Sequence, residues 1–121
     1  HGAFKEHYAL VLKAHELVKE KVVSGMTGRE ADEVARACFR EQGLDSFFTH
    51  SLGHGIGLQI HEYPVLAPRS EEILADGMVF SDEPGLYFAG EYGIRIEDSV
   101  TLQDGRVVSF MKKTPHELII L

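Results

Sequence analysis

The feature that most constrains the fold is a change of period at Gly43. Before it, apolar and half-apolar residues recur at helical spacing. Phe4, Tyr8, Val11, Leu12, His15, Val18 and Val22 fall on one helix face, and Ala31, Val34, Ala35, Cys38 and Phe39 form the stripe of a second. Gly25 is a natural stop for the first helix. Thr27-Gly-Arg-Glu30 reads as a capping box, in which a hydroxyl and a carboxylate satisfy the free amides at a helix start. After Gly43 the spacing becomes strand-like, with strands expected at 48–52, 58–61, 78–83, 93–98, 100–102 and 106–110 and a last apolar run at 117–121. Asp104-Gly105 is a strong hairpin signal, and 63–70, marked by two prolines, reads as a loop. Helices first and strands after define an α+β unit, two helices plus a mainly antiparallel sheet. Leu118-Ile-Ile-Leu121 is too apolar for a free tail and is expected to pack.

Composition closes off several functions. The 121 residues allow one domain with a modest core. A net charge of −7 argues against nucleic acid as a partner, because binding it needs a basic face to displace counterions. No apolar run approaches the roughly 18 residues that a membrane helix requires, so no membrane partner is expected. The single cysteine, Cys38, cannot form an internal disulfide, which favours a reducing compartment and a cytoplasmic location. The chain opens at His1-Gly2 without methionine, as a processed product or an excised piece would.

Three segments can carry chemistry. In His50-Ser-Leu-Gly-His54-Gly-Ile-Gly-Leu-Gln-Ile-His61-Glu62, three histidines fall among three glycines, Gly53, Gly55 and Gly57. Glycine costs backbone entropy and adds no packing, so its repetition implies that something approaches the backbone closely. Histidine is the commonest metal ligand and the usual acid–base group near neutrality. His7, His15 and His116 lack that setting and read as ordinary helix or terminal residues. The second segment ends an apolar strand with two acids, Asp82-Glu83, before Pro84-Gly85. Strand alternation puts Val79, Ser81 and Glu83 on one face and Met78, Phe80 and Asp82 on the other, so only one acid faces a given site. Solvation of a strand end explains the pair equally well. In the third, Gly93-Ile-Arg95-Ile-Glu97-Asp98, Arg95 and Glu97 share a face. They form either a weak ion pair or a set in which Glu97 binds a cation and Arg95 grips a substrate carboxylate through its planar fork. One imidazole with two carboxylates suits a divalent cation such as Mn²⁺, Co²⁺ or Zn²⁺.

The three segments together, in this order, resemble the pita-bread metallopeptidases, which include methionine aminopeptidases, aminopeptidase P and prolidase (Xaa-Pro dipeptidase). His50 four positions before His54, and Arg95 two before Glu97, are similar to the proline-specific branch. The resemblance implies metal-dependent hydrolysis of the Xaa-Pro bond at peptide N-termini, on peptides with proline second. It implies metal ligands at His54, Glu83 and Glu97, with Glu97 bridging two divalent ions, Mn²⁺ foremost and Co²⁺ or Zn²⁺ as alternatives. Glu83 would also move the proton, and His61 would stabilise the tetrahedral intermediate or position the scissile amide. His50 and Arg95 would line the proline side of the pocket.

The family's two-metal site also needs two aspartates from the first half of its catalytic domain. Before His50 this chain has only Asp32 and Asp45, in and just after the second helix. Two carboxylates leave half the charge of two divalent cations uncompensated. Residues 1–121 are therefore expected to be the C-terminal portion of the catalytic domain, half of a pita-bread fold. By itself it would be inactive, with weak or no metal binding. A half-domain should expose apolar surface meant for its mate, so a homodimer is expected. A non-catalytic pita-bread binding module and a metal-free creatinase-like hydrolase are the alternative functions.

Overall fold

The computed structural model describes residues 3–56 and 64–109, and the backbone of strand 116–120. Helix α1 (Phe4–Lys21) buries Val11, Ala14, His15 and Val18, the stripe its spacing demands. Helix α2 (Gly28–Arg40) starts at the expected capping box: Thr27 Oγ1 accepts from the Glu30 amide at 3.1 Å, and the Thr27 amide donates to Glu30 Oε1 at 2.9 Å. Its buried face holds Ala31, Asp32, Ala35, Cys38 and Phe39, whereas Val34 is only half-buried.

The strands form three antiparallel groups. β1 (Gly53–His54) pairs with β2 (Val65–Leu66). β3 (Val79–Asp82), β6 (Asp98–Gln103) and β7 (Arg106–Ser109) form one sheet in the order β3-β6-β7. β4 (Gly85–Phe88), β5 (Tyr92–Ile96) and β8 (His116–Ile120) form another in the order β4-β5-β8. The chain crosses between the larger sheets twice, at Glu83-Pro84 between β3 and β4, and at Glu97 between β5 and β6. Register sets the crossings side by side, since Asp82 pairs with Asp98 and Gly85 with Arg95. Pro84 has no amide to give to a ladder, which is why the pairing is interrupted there. β1 lies along β3 through a bridge between Gly55 and Phe80 and a 2.9 Å bond from the Glu83 amide to the Leu52 carbonyl. The core fills the space under the helices with Val11, Val18, Ala35, Phe39, Phe80, Leu86, Ile94, Ile96 and Val100.

One expectation fails for an identifiable reason, and one strand was not anticipated. The strand expected at 48–52 is a 3₁₀ turn (Asp45–Phe47) followed by an unpaired segment, with regular pairing only at Gly53–His54. Its backbone groups are taken by side chains of α2 instead of a ladder. The strand expected at 78–83 does end before Pro84, but a further strand that the sequence did not suggest, β4, begins directly at Gly85. A Cβ there would lie 2.8 Å from the Ile94 carbonyl, so this glycine serves close strand contact rather than a turn. The segment expected as one strand at 93–98 divides at Glu97, and the loop at 63–70 contains the short β2. The strand expected at 58–61 lies outside the described residues. At the β6–β7 hairpin, Asp104 and Gly105 have φ of 53° and 81°, the pair of positive values that a type I′ turn needs. β8 pairs with β5 from His116↔Ile96 to Ile120↔Tyr92, so the apolar end is tied to a sheet.

Candidate metal and substrate site

Between β1, β2 and the Glu83 crossing lies a cleft of about 410 Å³ lined by His50, Ser51, Gly53, His54, Val65, Glu83 and Arg95. Four expected site residues, from three separate segments, meet there. The glycines around His54 have a local cause in at least one case: a Cβ on Gly53 would overlap the Ser81 carbonyl oxygen. The close approach inferred from sequence is thus made at Gly53 by β3 itself. It places β1 so that the His54 amide donates to Ser81 Oγ at 3.0 Å.

The His54 ring is oriented by its own neighbour. Nδ1 lies 3.0 Å from the Gly55 carbonyl, which can only accept, so Nδ1 carries the proton and Nε2 of the neutral ring offers a lone pair. That Nε2 points at Glu83 Oε2, 3.5 Å away. Glu83 Oε2 is buried and has no hydrogen-bond partner among the described residues. A buried carboxylate oxygen with unused lone pairs opposite a bare imidazole nitrogen is a donor set that suits a divalent cation. His54 and Glu83 therefore fit the metal the family implies.

His50 is fixed in the same manner. Its Nδ1 donates to the Ser51 carbonyl at 2.7 Å, leaving Nε2 to accept from the Tyr87 hydroxyl at 3.0 Å. Tyr87, on β4 four residues after Glu83, was given no role on sequence grounds. Arg95 reaches the cleft from β5, and its Nη2 lies 3.6 Å from Glu97 Oε1. The ion pair open as an alternative from sequence is formed. Glu97 itself does not line the cleft, and no three His, Cys, Asp or Glu side chains among the described residues are grouped to hold a metal ion. His61 lies outside the described residues.

Sequence also missed a second polar cluster, directly behind the first. Asp82 and Asp98, register partners on β3 and β6, turn away from the cleft toward α1. His15 Nε2 lies 3.5 Å from Asp82 Oδ2, and Lys19 Nζ lies 3.2 Å from Asp98 Oδ2. Burial pushes the His15 pKa down to about 4, with Lys19 adding to the effect. Burial likewise raises the Asp82 carboxyl well above its ordinary 3.8, against the opposing pull of Lys19. The alternation that separated Asp82 from Glu83 was the available signal for this split.

Comparison with known proteins bears on the resemblance. The model of metallopeptidase family M24 matches residues 1–104. The chain belongs to that family. Among M24 relatives, the Xaa-Pro dipeptidase of Pyrococcus furiosus is 41% identical over 95% of this chain and 33% of its own length. The solved Xaa-Pro dipeptidase from Bacillus anthracis is 45% identical, with a TM-score of 0.87, over 98% of this chain and 33% of that one. The X-Pro aminopeptidase from Thermotoga maritima is 41% identical, with a TM-score of 0.85, over 94% and 32%. The two helices and antiparallel sheets are thus a portion of the pita-bread fold. The chain spans about a third of the length of the relatives it matches.

Proposed function

We propose that this chain is the C-terminal portion of the catalytic domain of an M24 peptidase that hydrolyses the Xaa-Pro bond at peptide N-termini. The observation that carries the proposal is the convergence of His50, His54, Glu83 and Arg95 on one cleft, with Glu83 Oε2 left open toward His54. His54, Glu83 and Glu97 would hold divalent metal, with Mn²⁺ preferred over Co²⁺ or Zn²⁺, and the two missing aspartates would come from the other half of the domain. Bound metal supplies an acidified water and polarises the scissile carbonyl. Glu83 takes the proton from the attacking water and passes it to the leaving nitrogen. Arg95, steadied by Glu97, grips the carboxylate of the substrate through two parallel N–H donors. His50, locked between Ser51 and Tyr87, forms the wall of the proline pocket, and His61 would stabilise the intermediate.

The unpaired Cys38 supports a cytoplasmic setting. Ile56, two residues after His54, and Val65, in the cleft lining, are each more than a third exposed, which supports self-association through this face. The chain alone is expected to be inactive and to run as a dimer in size-exclusion chromatography with light scattering; a clean monomer at micromolar concentration would count against the dimer. The functional test is release of free proline from Xaa-Pro dipeptides by the full-length protein loaded with Mn²⁺. Absence of turnover with every divalent ion tried would overturn the assignment.

A further inference from the structure

The unpaired segment that carries His50 is held by a charged pair on α2. Asp32 is 1% exposed, on the face otherwise lined by Ala31 and Ala35. One turn on, Arg36 forks onto it: Nε donates to Oδ2 at 2.6 Å and Nη2 to Oδ1 at 3.1 Å. The same guanidinium donates from Nη1 to the Phe48 carbonyl and from Nη2 to the His50 carbonyl, both at 3.0 Å. Its central carbon sits 4.2 Å from the centre of the Phe48 ring. Asp32 Oδ1 then accepts from the Leu52 amide at 3.0 Å. Three backbone groups within five residues are satisfied by this one pair, which is why the segment needs no strand partner.

The clamp meets the site at both ends of its reach. The His50 carbonyl it holds belongs to the residue whose ring is set between Ser51 and Tyr87. Leu52, whose amide it holds, accepts through its carbonyl from the Glu83 amide at 2.9 Å. Two residues later His54 faces the Glu83 carboxylate. Only a planar five-donor group can bridge a carboxylate and two carbonyls at once; a lysine ammonium is a point donor and cannot span them.

We propose that Arg36, anchored by Asp32, is a positioning residue that sets the orientation of both His50 and His54 in the cleft. Its importance for turnover rests on the peptidase assignment above, but the geometry can be tested in this chain without turnover. Histidine-ring and amide NMR spectra at one fixed pH compare the unsubstituted chain with Arg36→Lys and Asp32→Asn. The expected result is that the His50 and His54 ring signals move in both variants and the Leu52 amide exchanges about tenfold faster or more. The core amides of Val11 and Ile94 should stay as they were. Folded variants with unmoved His50 and His54 rings and an unchanged Leu52 amide would overturn the proposal. Should both variants fail to fold, the unsubstituted chain decides. Arg36 Nη protons slow to exchange and in contact with the Phe48 ring support the clamp; Nη protons that exchange like those of exposed arginines refute it. A full-length protein without peptidase activity would sink the functional assignment and leave these signals as they are.

Discussion

Asp82 and Glu83 are adjacent in sequence and have opposite surroundings. Asp82 faces α1, fully buried, with His15 as neighbour. Glu83 lines the cleft, with Oε2 3.5 Å from His54 Nε2, the same distance that separates Asp82 Oδ2 from His15 Nε2. Asp98 repeats the inward choice on β6, against Lys19 and the Ser109 hydroxyl, which donates to it at 2.7 Å. Neither carboxylate oxygen of Asp82 nor Glu83 Oε2 has a hydrogen-bond partner among the described residues. The imidazole beside Asp82 is 1% exposed, however, whereas the one beside Glu83 is 54% exposed and lines the cleft. The difference teaches that an acid beside an imidazole does not by itself mark a site here; what marks it is that the Glu83–His54 pair opens onto a cleft a ligand can enter.

The largest expected effect is on the cleft side. In the Mn²⁺-loaded full-length protein, Glu97→Ala should lower proline release about a thousandfold, beyond the roughly hundredfold that outer supporting residues cost. Unchanged turnover would refute the ligand assignment.

On the buried side the consequence is a pH effect. Below pH 6.5 the unfolded chain binds a proton at His15 that the folded chain accepts only near 4. The contribution of His15 to stability is therefore complete above 6.5 and declines as pH falls toward 4. Asp82 runs the other way: the folded chain keeps a proton that the unfolded chain releases near 3.8, so its contribution is complete below 3.8 and declines as pH rises. The two therefore oppose each other as pH falls from 6.5 toward 4. Asp82→Asn removes only the second, so the variant should lose stability relative to the unsubstituted chain on acidification toward pH 4. Urea denaturation at several pH values measures it, and parallel curves would contradict the pairing.

Lys19→Met should cost about 2 kcal/mol at neutral pH by the same denaturation. That is less than the loss of a fully buried partner, because Lys19 is a quarter exposed. The smallest effect returns to the cleft. Arg95→Lys keeps the charge and loses the fork, so KM should rise about tenfold with kcat little changed. A fall in kcat at constant KM would move Arg95 from binding to chemistry.

Much of this was legible in the chain because it is local. The Thr27–Glu30 capping box forms both of its bonds, and the Asp104-Gly105 turn takes its two positive φ values, since each depends on a few consecutive residues. The faces of Asp82 and Glu83 followed from alternation. The burial of His15 was visible in its helix stripe, but its partner sits 67 positions away on β3, which no local pattern encodes. The strand expected at 48–52 was lost to Asp32 and Arg36, a side-chain competitor for backbone bonds. Their i,i+4 spacing, with an acid among alanines on the buried face, was the signal that could have shown it. Gly53 signalled a close approach, although the approaching group is β3.

The most direct test sets the two adjacent acids against each other in the full-length protein. Glu83→Gln should abolish Xaa-Pro hydrolysis while leaving acid stability unchanged, and Asp82→Asn should keep most of the turnover while acquiring the acid sensitivity described above. Turnover retained in Glu83→Gln, or lost in a folded Asp82→Asn, would contradict the division of the two faces.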